Sequence, residues 1–310
     1  MSFNNFDLLA IGNVGIEHIF KVDRIPGDDK TGLILSERTH FGGRAGNIAL
    51  TSARLGLGVA IASVAGNDFI TSGYKDFLVN NHVNIDRIKI IREAECSKTI
   101  VLYNENGKMI YFFKPINCPE IALDVNKVDL NLYKFLYITA FDGEKPIQKI
   151  VKAAKGSSNI IVVAIGEEVY RKSANFLTTI LSIGNYLFVN QSELKVLLER
   201  ISLSNVGDFF ESNERLNYVI VTLGKRGSIL YGRQANYKIP SVLPPQIVNT
   251  LGAGDAYVAG FIYGLRKNFH IEKCGRIASV AASFVLEQES AQPVKITAKG
   301  LRARYNARFL

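Results

Sequence analysis

Asn249-Thr250-Leu251-Gly252-Ala253-Gly254-Asp255 joins a small glycine-rich turn to one carboxylate, and the apolar run Ala256 to Phe261 follows at once. If a helix opens here, the amides of Gly252, Ala253 and Gly254 lack intrahelical partners and converge on one point. Free N–H groups and the helix dipole both favour an anion there, and Asp255 stands beside it as a base. A base next to an anion cradle is what phosphoryl transfer to an alcohol requires. The same wording also describes an Asp that caps a helix after a flexible turn, so the loop alone leaves both readings open.

Three further clusters bear on that choice. Phe41-Gly42-Gly43-Arg44-Ala45-Gly46-Asn47 precedes a helical pattern, Ile48 to Leu55. Gly42 and Gly43 let a polyol approach the backbone, and Asn47 can donate to and accept from hydroxyls. A tight strand-to-helix turn reads the same way. Asn190-Gln191-Ser192-Glu193 sets Asn190 and Glu193 one helical turn apart, as a holder for hydrated Mg²⁺ or as a helix cap. Thr222-Leu223-Gly224-Lys225-Arg226-Gly227 either admits nucleotide phosphates close to its glycines or simply makes a left-handed turn.

The elements that must position these clusters are legible as apolar runs. Residues 8–11, 59–62, 135–138, 160–163, 186–189 and 218–221 have the continuous apolar form of strands buried on both faces of a parallel sheet. Helical patterns lie between them, at 47–55, 147–154 and 192–201 among others. The alternation predicts a mostly parallel sheet covered on both sides, with the four clusters at its carboxyl edge, where open α/β folds bind ligands. Residues 15–39 read as extended, and 98–114 read as a hairpin with an Asn-Gly turn. Together they predict a small sheet over the main one, a lid that excludes water.

Composition narrows the function. Three scattered cysteines (Cys96, Cys118, Cys274) and four unclustered histidines give no disulfide framework and no metal site based on imidazole. The net charge of +9 draws more than half its excess from Lys295, Lys299, Arg302, Arg304 and Arg308, where no aromatic platform accompanies them. That argues against nucleic acid and for a solvated terminal face. No run reaches membrane-spanning length and the opening residues have no basic leader, so a cytoplasmic location is expected. Neither G-x-x-x-x-G-K-[ST], G-x-G-x-x-G after the first strand, nor G-x-S-x-G occurs, which counts against P-loop ATPases, nicotinamide dehydrogenases and elbow-type hydrolases.

In order and wording the four clusters resemble those of the ribokinase (PfkB) family of carbohydrate and nucleoside kinases, over the whole chain. The resemblance implies one ribokinase-like domain over residues 1–310, a three-layer α/β/α core with a mostly parallel sheet, and a small β-sheet lid from about 13–39 and 97–115. It implies ATP and Mg²⁺, with Asp255 as the base and Gly252, Ala253 and Gly254 as the anion hole. Gly42, Gly43 and Asn47 would hold sugar hydroxyls, Asn190 and Glu193 would organise Mg²⁺ and phosphates, and Thr222, Gly224 and Gly227 would line the nucleotide. Within the family the chain looks most like the archaeal nucleoside kinases. Gly15 weakens a free-ribose reading, Glu17 keeps a carboxylate for two ribose hydroxyls, and the lid aromatics Phe20, Tyr111 and Phe113 can cover a base. A sugar or sugar-phosphate kinase and a non-catalytic sensor are the alternatives. Where relatives usually carry Asp the chain has Asn249, which leaves a monovalent-cation requirement open, and exposed lid strands offer a homodimer interface.

Overall fold

The computed structural model describes residues 6–106, 109–116, 128–139, 144–292 and 295–310. Nine strands form the main sheet, in the order β13 (Tyr237–Ile239), β12 (Ser228–Gly232), β11 (Tyr218–Thr222), β10 (Tyr186–Asn190), β9 (Ile160–Ala164), β8 (Tyr133–Thr139), β1 (Phe6–Ile11), β4 (Val59–Gly66) and β5 (Val83–Ile91). From β11 to β5 every pairing is parallel, and the edge strands β12 and β13 turn antiparallel.

Strand β1 shows why its sequence has no polar alternation. Leu8 and Ala10 belong to one buried cluster, and Leu9 and Ile11 to the other, so both faces are covered. One cluster is completed by α1 (Arg44–Arg54), α2 (Asp68–Thr71), α3 (Tyr74–Asn80), α8 (Ala253–Arg266), α9 (Ile271–Leu286) and α10 (Ala298–Phe309). The other is completed by α4 (Glu144–Ala154), α5 (Ala174–Leu181), α6 (Gln191–Arg200) and α7 (Asp208–Ser212). The result is the expected three-layer α/β/α core. The chain leaves β1 for β4 on one side and returns through β8 on the other, which opens a crevice at the carboxyl ends of those strands.

A second sheet has the order β3 (Ile34–Gly42), β2 (Gly15–Val22), β6 (Ser97–Tyr103) and β7 (Met109–Lys114). Its two hairpins come from distant parts of the chain and join through parallel pairing of β2 with β6. Strand β3 runs on to Gly42, so the first glycine cluster begins inside this sheet. Gly107 and Lys108 of the expected Asn-Gly turn lie outside the described residues, as does Cys118.

Cys96 and Cys274 are buried free thiols. Among the described residues no helix is long and apolar enough to cross a membrane. The basic terminal helix α10 is not solvated throughout. Arg304 pairs with Glu287 at 3.0 Å and lies 3.8 Å over the Phe284 ring, which pins α10 to α9.

Candidate active site

Gly252 caps α8 in the left-handed conformation, φ +78°, so the helix starts at Ala253 and Asp255 stands in its first turn. The Ala253 amide closes the turn onto the Thr250 carbonyl at 3.3 Å, whereas the Gly252 and Gly254 amides have no partner among the described residues. The cradle read from sequence therefore offers two open glycine amides, not three. Asp255 accepts a 2.8 Å hydrogen bond from Asn47 Nδ2, although the two residues are 208 positions apart. Burial lifts the Asp255 carboxyl above its usual range, while the charge of Arg44 and the Asn47 donor pull it back.

Two of the clusters reach the site by a route the strand pattern does not show. The loop before Asp255 follows the antiparallel edge strand β13, and Gly42 ends β3 of the small sheet with Gly43 directly after it. Helices α1 and α8 pack together on the same face of the main sheet, and their N-termini bring Asn47 and Asp255 together. Only Asn190 and Thr222 arrive at parallel strand ends, as register neighbours on β10 and β11.

Arg44, passed over in the sequence, sits at the centre of the site. Its guanidinium lies among Tyr137, Asp255, Glu193 and Glu167. Burial alone would weaken its charge, but those neighbours more than offset it and hold the group protonated. Space for it comes from Gly166, just after β9, since a Cβ there would fall 2.0 Å from Arg44 Nη2. Glu193 is buried and its carboxyl is raised, by burial first, with Arg44 and the Asn190 amide opposing. Its Oε2 accepts from the Asn190 amide at 2.9 Å, and Asn190 Oδ1 accepts from the Glu193 amide at 2.8 Å. The pair is thus a capping box that aims α6 at the crevice.

On the other side of Asp255, Glu17 is 4% exposed and its Oε2 has no hydrogen-bond partner. A Cβ at position 42 would lie 2.0 Å from Glu17 Oε1, so Gly42 makes room for this carboxyl. Gly43 packs against the Asn13 carbonyl and the Gly15 amide, donates its N–H to Glu17, and lines the cleft. Burial and the nearby Asp255 charge outweigh that bond and push Glu17 up to about 8. Between about pH 4.5 and 8 the folded state therefore holds a proton that the unfolded chain releases, and stability is lost progressively as pH rises through that window. We expect Glu17→Gln to be more stable than the wild type by a margin that grows by at least ~1.4 kcal/mol between pH 5 and pH 9 in urea titrations. A margin independent of pH would contradict a buried carboxyl.

These groups line one cleft of about 640 Å³, with Asn13, Glu17, Arg44, Asn47, Gly252, Gly254 and Asp255 on its polar floor. Thr99, Met109, Ile110, Tyr111 and Phe113 of the small sheet form one wall, while Ile165, Glu167, Glu168 and Arg171 form another. Of the expected lid aromatics, Tyr111 and Phe113 line the cleft. Phe20 is not among the lining residues. Of the fourth cluster, Gly224 is open on its side-chain face at φ +58°, whereas a Cβ at Gly227 would lie 2.0 Å from the Ile239 carbonyl. Gly227 therefore lets the backbone pass close to β13.

The model of the pfkB family carbohydrate kinases matches residues 5–298. The chain belongs to that family. It is a phosphotransferase that uses an alcohol group as acceptor. Its curated relatives include the nucleoside kinase of Methanocaldococcus jannaschii, 29% identical over 293 residues and covering 92% of each chain. Mouse ketohexokinase is 23% identical, over 89% of this chain and 94% of its own. Among solved structures, the M. jannaschii nucleoside kinase superposes with a TM-score of 0.87 at 27% identity, covering 98% of this chain and 99% of that one. The Burkholderia thailandensis nucleoside kinase in complex with inosine also gives a TM-score of 0.87, at 19% identity and 97% coverage of each chain, which shows the shared fold.

Proposed function

We propose that this PfkB-family chain is an ATP-dependent nucleoside kinase that phosphorylates the 5′-hydroxyl of a ribosyl unit. One observation carries the reading. Asp255 and the open Gly252 and Gly254 amides share a cleft with the buried, unpartnered Glu17 Oε2, so a phosphoryl-transfer centre lies beside a carboxyl suited to vicinal hydroxyls. Asp255 takes the proton of the attacking hydroxyl, the two glycine amides and Arg44 face the charge on the transferring phosphoryl group, and Asn47 orients Asp255. The nucleotide lies along Asn190, Thr222 and the open backbone at Gly224.

No group of three or more metal-ligating acidic, histidine or cysteine residues occurs among the described residues. That suits Mg²⁺, which keeps most of its waters and is held through phosphate oxygens, and the buried Glu193 carboxylate beside Asn190 is the side chain that would hold it. Bound there, the ion would neutralise phosphate charge. Segments of about 13–39 and 97–115 act as a lid within one kinase domain. The edge strand β3, together with the exposed Leu33, Ile34 and Leu35, is the surface through which two copies would pair, which light scattering tests.

No monovalent cation is required in this reading. Asn249 is buried, donates Nδ2 to the Glu289 carbonyl at 2.6 Å and accepts the Leu251 amide at 2.9 Å, so the loop before the anion cradle is tied down by a neutral donor. A carboxylate at this position would face that carbonyl with no proton between them. We expect wild-type turnover to be the same in sodium, potassium or tetramethylammonium buffers, and Asn249→Asp to lose roughly tenfold, partly restored by potassium. A wild type that needs potassium would refute the assignment. The reaction as a whole is tested by ADP release over nucleosides, free pentoses, hexoses and sugar phosphates. Turnover of sugars alone would replace the nucleoside reading by that of a sugar kinase.

A further inference from the structure

The outer end of the cleft holds a charged donor that the reaction does not use. Arg171 lines it beside Phe113, with its guanidinium 5.7 Å from the centre of that ring, and its side chain remains 51% exposed. Nη2 is pinned to Glu168 Oε1 at 2.6 Å. Glu168 is 13% exposed and also lies 3.6 Å from Lys172 Nζ, so it is held from two sides. Glu168 takes one of the two Nη2 hydrogens, while Nε and Nη1 have no partner among the described residues, so one two-nitrogen edge of the guanidinium, shared with the second Nη2 hydrogen, stays open. Ile110 and Phe113 of the small sheet and Ile165 of the core supply flat apolar lining next to it.

We propose that Arg171 is a specificity-determining residue that selects nucleosides of 6-oxopurines, hypoxanthine and guanine, over those of adenine. The inference rests on the nucleoside-kinase reading of the same cleft. With the ribosyl hydroxyls at Glu17 and the reacting hydroxyl at Asp255, the base extends toward the outer end. The major-groove edge of a 6-oxopurine presents O6 and N7, two adjacent acceptors that match a guanidinium fork. Adenine presents an amino group in place of O6, which sets N–H against N–H and leaves a donor unsatisfied. Glu168 contributes by holding the fork in one orientation, and Phe113 by supporting its plane.

The test compares kcat/KM for inosine, guanosine, adenosine, 7-deazaguanosine and free D-ribose in the wild type, Arg171→Gln and Glu168→Gln. The wild type is expected to prefer inosine and guanosine to adenosine by roughly ten- to a hundredfold, and 7-deazaguanosine to lose part of that preference. In Arg171→Gln the preference collapses to within about threefold, mainly through KM, and Glu168→Gln gives an intermediate loss. Arg171 is exposed, so the variant keeps its fold, and an unaltered circular dichroism melt checks this. Two outcomes overturn the proposal while the nucleoside reading stands: adenosine turned over as well as inosine by the wild type, or a loss in Arg171→Gln equal for all nucleosides. Turnover of D-ribose with no nucleoside turned over would instead remove the underlying reading as well.

Discussion

Asp255→Asn is expected to lower kcat by ~10²–10⁴-fold while nucleotide affinity stays largely intact. The substitution is isosteric, and an amide oxygen at this position still accepts the Asn47 Nδ2 donor that now makes a 2.8 Å bond to Asp255 Oδ2. The helix start is preserved as well, because it depends on the left-handed Gly252 and on the turn that closes Ala253 onto Thr250. What disappears is the carboxylate that the proposed reaction uses to take a proton beside the open amides. The raised Asp255 pKa makes the carboxylate a stronger base than an exposed one, and it places the acid limb of the wild-type pH–rate profile above the ordinary carboxylate range. Single-turnover rates with ATP and inosine, alongside calorimetric ATP binding, separate chemistry from affinity. Retention of most of the wild-type rate would end the role of Asp255 as base.

The core was legible because its strands repeat one signal. Strand β1 buries Leu8 and Ala10 on one face and Leu9 and Ile11 on the other, and a short apolar run without polar alternation suits a strand covered on both sides. The small sheet was legible from its hairpins, but not the pairing of β2 with β6, which depends on contacts some eighty residues apart. Edge strands β12 and β13 are short, with partly exposed residues among buried ones, and leave a weaker trace. At the site, residue types were legible and their duties were not. Glycine at 42 serves a neighbour's carboxyl and glycine at 227 serves a passing strand, yet both look like ligand-facing glycines in sequence. Asn190 and Glu193 satisfy both readings at once, since a capping box is also what points their helix at the crevice. Arg44 and Arg171 went unread because a cation gains meaning only from the groups that surround it. Around Arg44 those groups, Glu193 and Asp255 among them, come from other elements, and Arg171 meets Phe113 of the small sheet.

Arg44→Gln is expected to lower kcat by ~10²–10³-fold and to move the acid limb of the pH–rate profile to higher pH. Both effects follow from the same placement. The guanidinium is the cation among Asp255, Glu193 and Glu167, and its charge is what opposes burial at Asp255 and Glu193. Removing it leaves burial unopposed by charge at both carboxyls, so each holds its proton to a higher pH and less of the base is available near neutrality. It also removes a fixed positive charge that, in the proposed reaction, faces the transferring phosphoryl group, a loss that remains after pH is raised. Arg44→Lys should recover the position of the acid limb, because the charge is restored. It should recover only part of kcat, because a lysine lacks the planar fork that the clearance over Gly166 accommodates. A residue that merely filled space would slow the reaction without moving the pH profile, and lysine would rescue it no better than methionine. An acid limb at the same pH in wild type and Arg44→Gln would show that Arg44 does not set the proton affinity of the base, and the charge-based account of this site would fail with it.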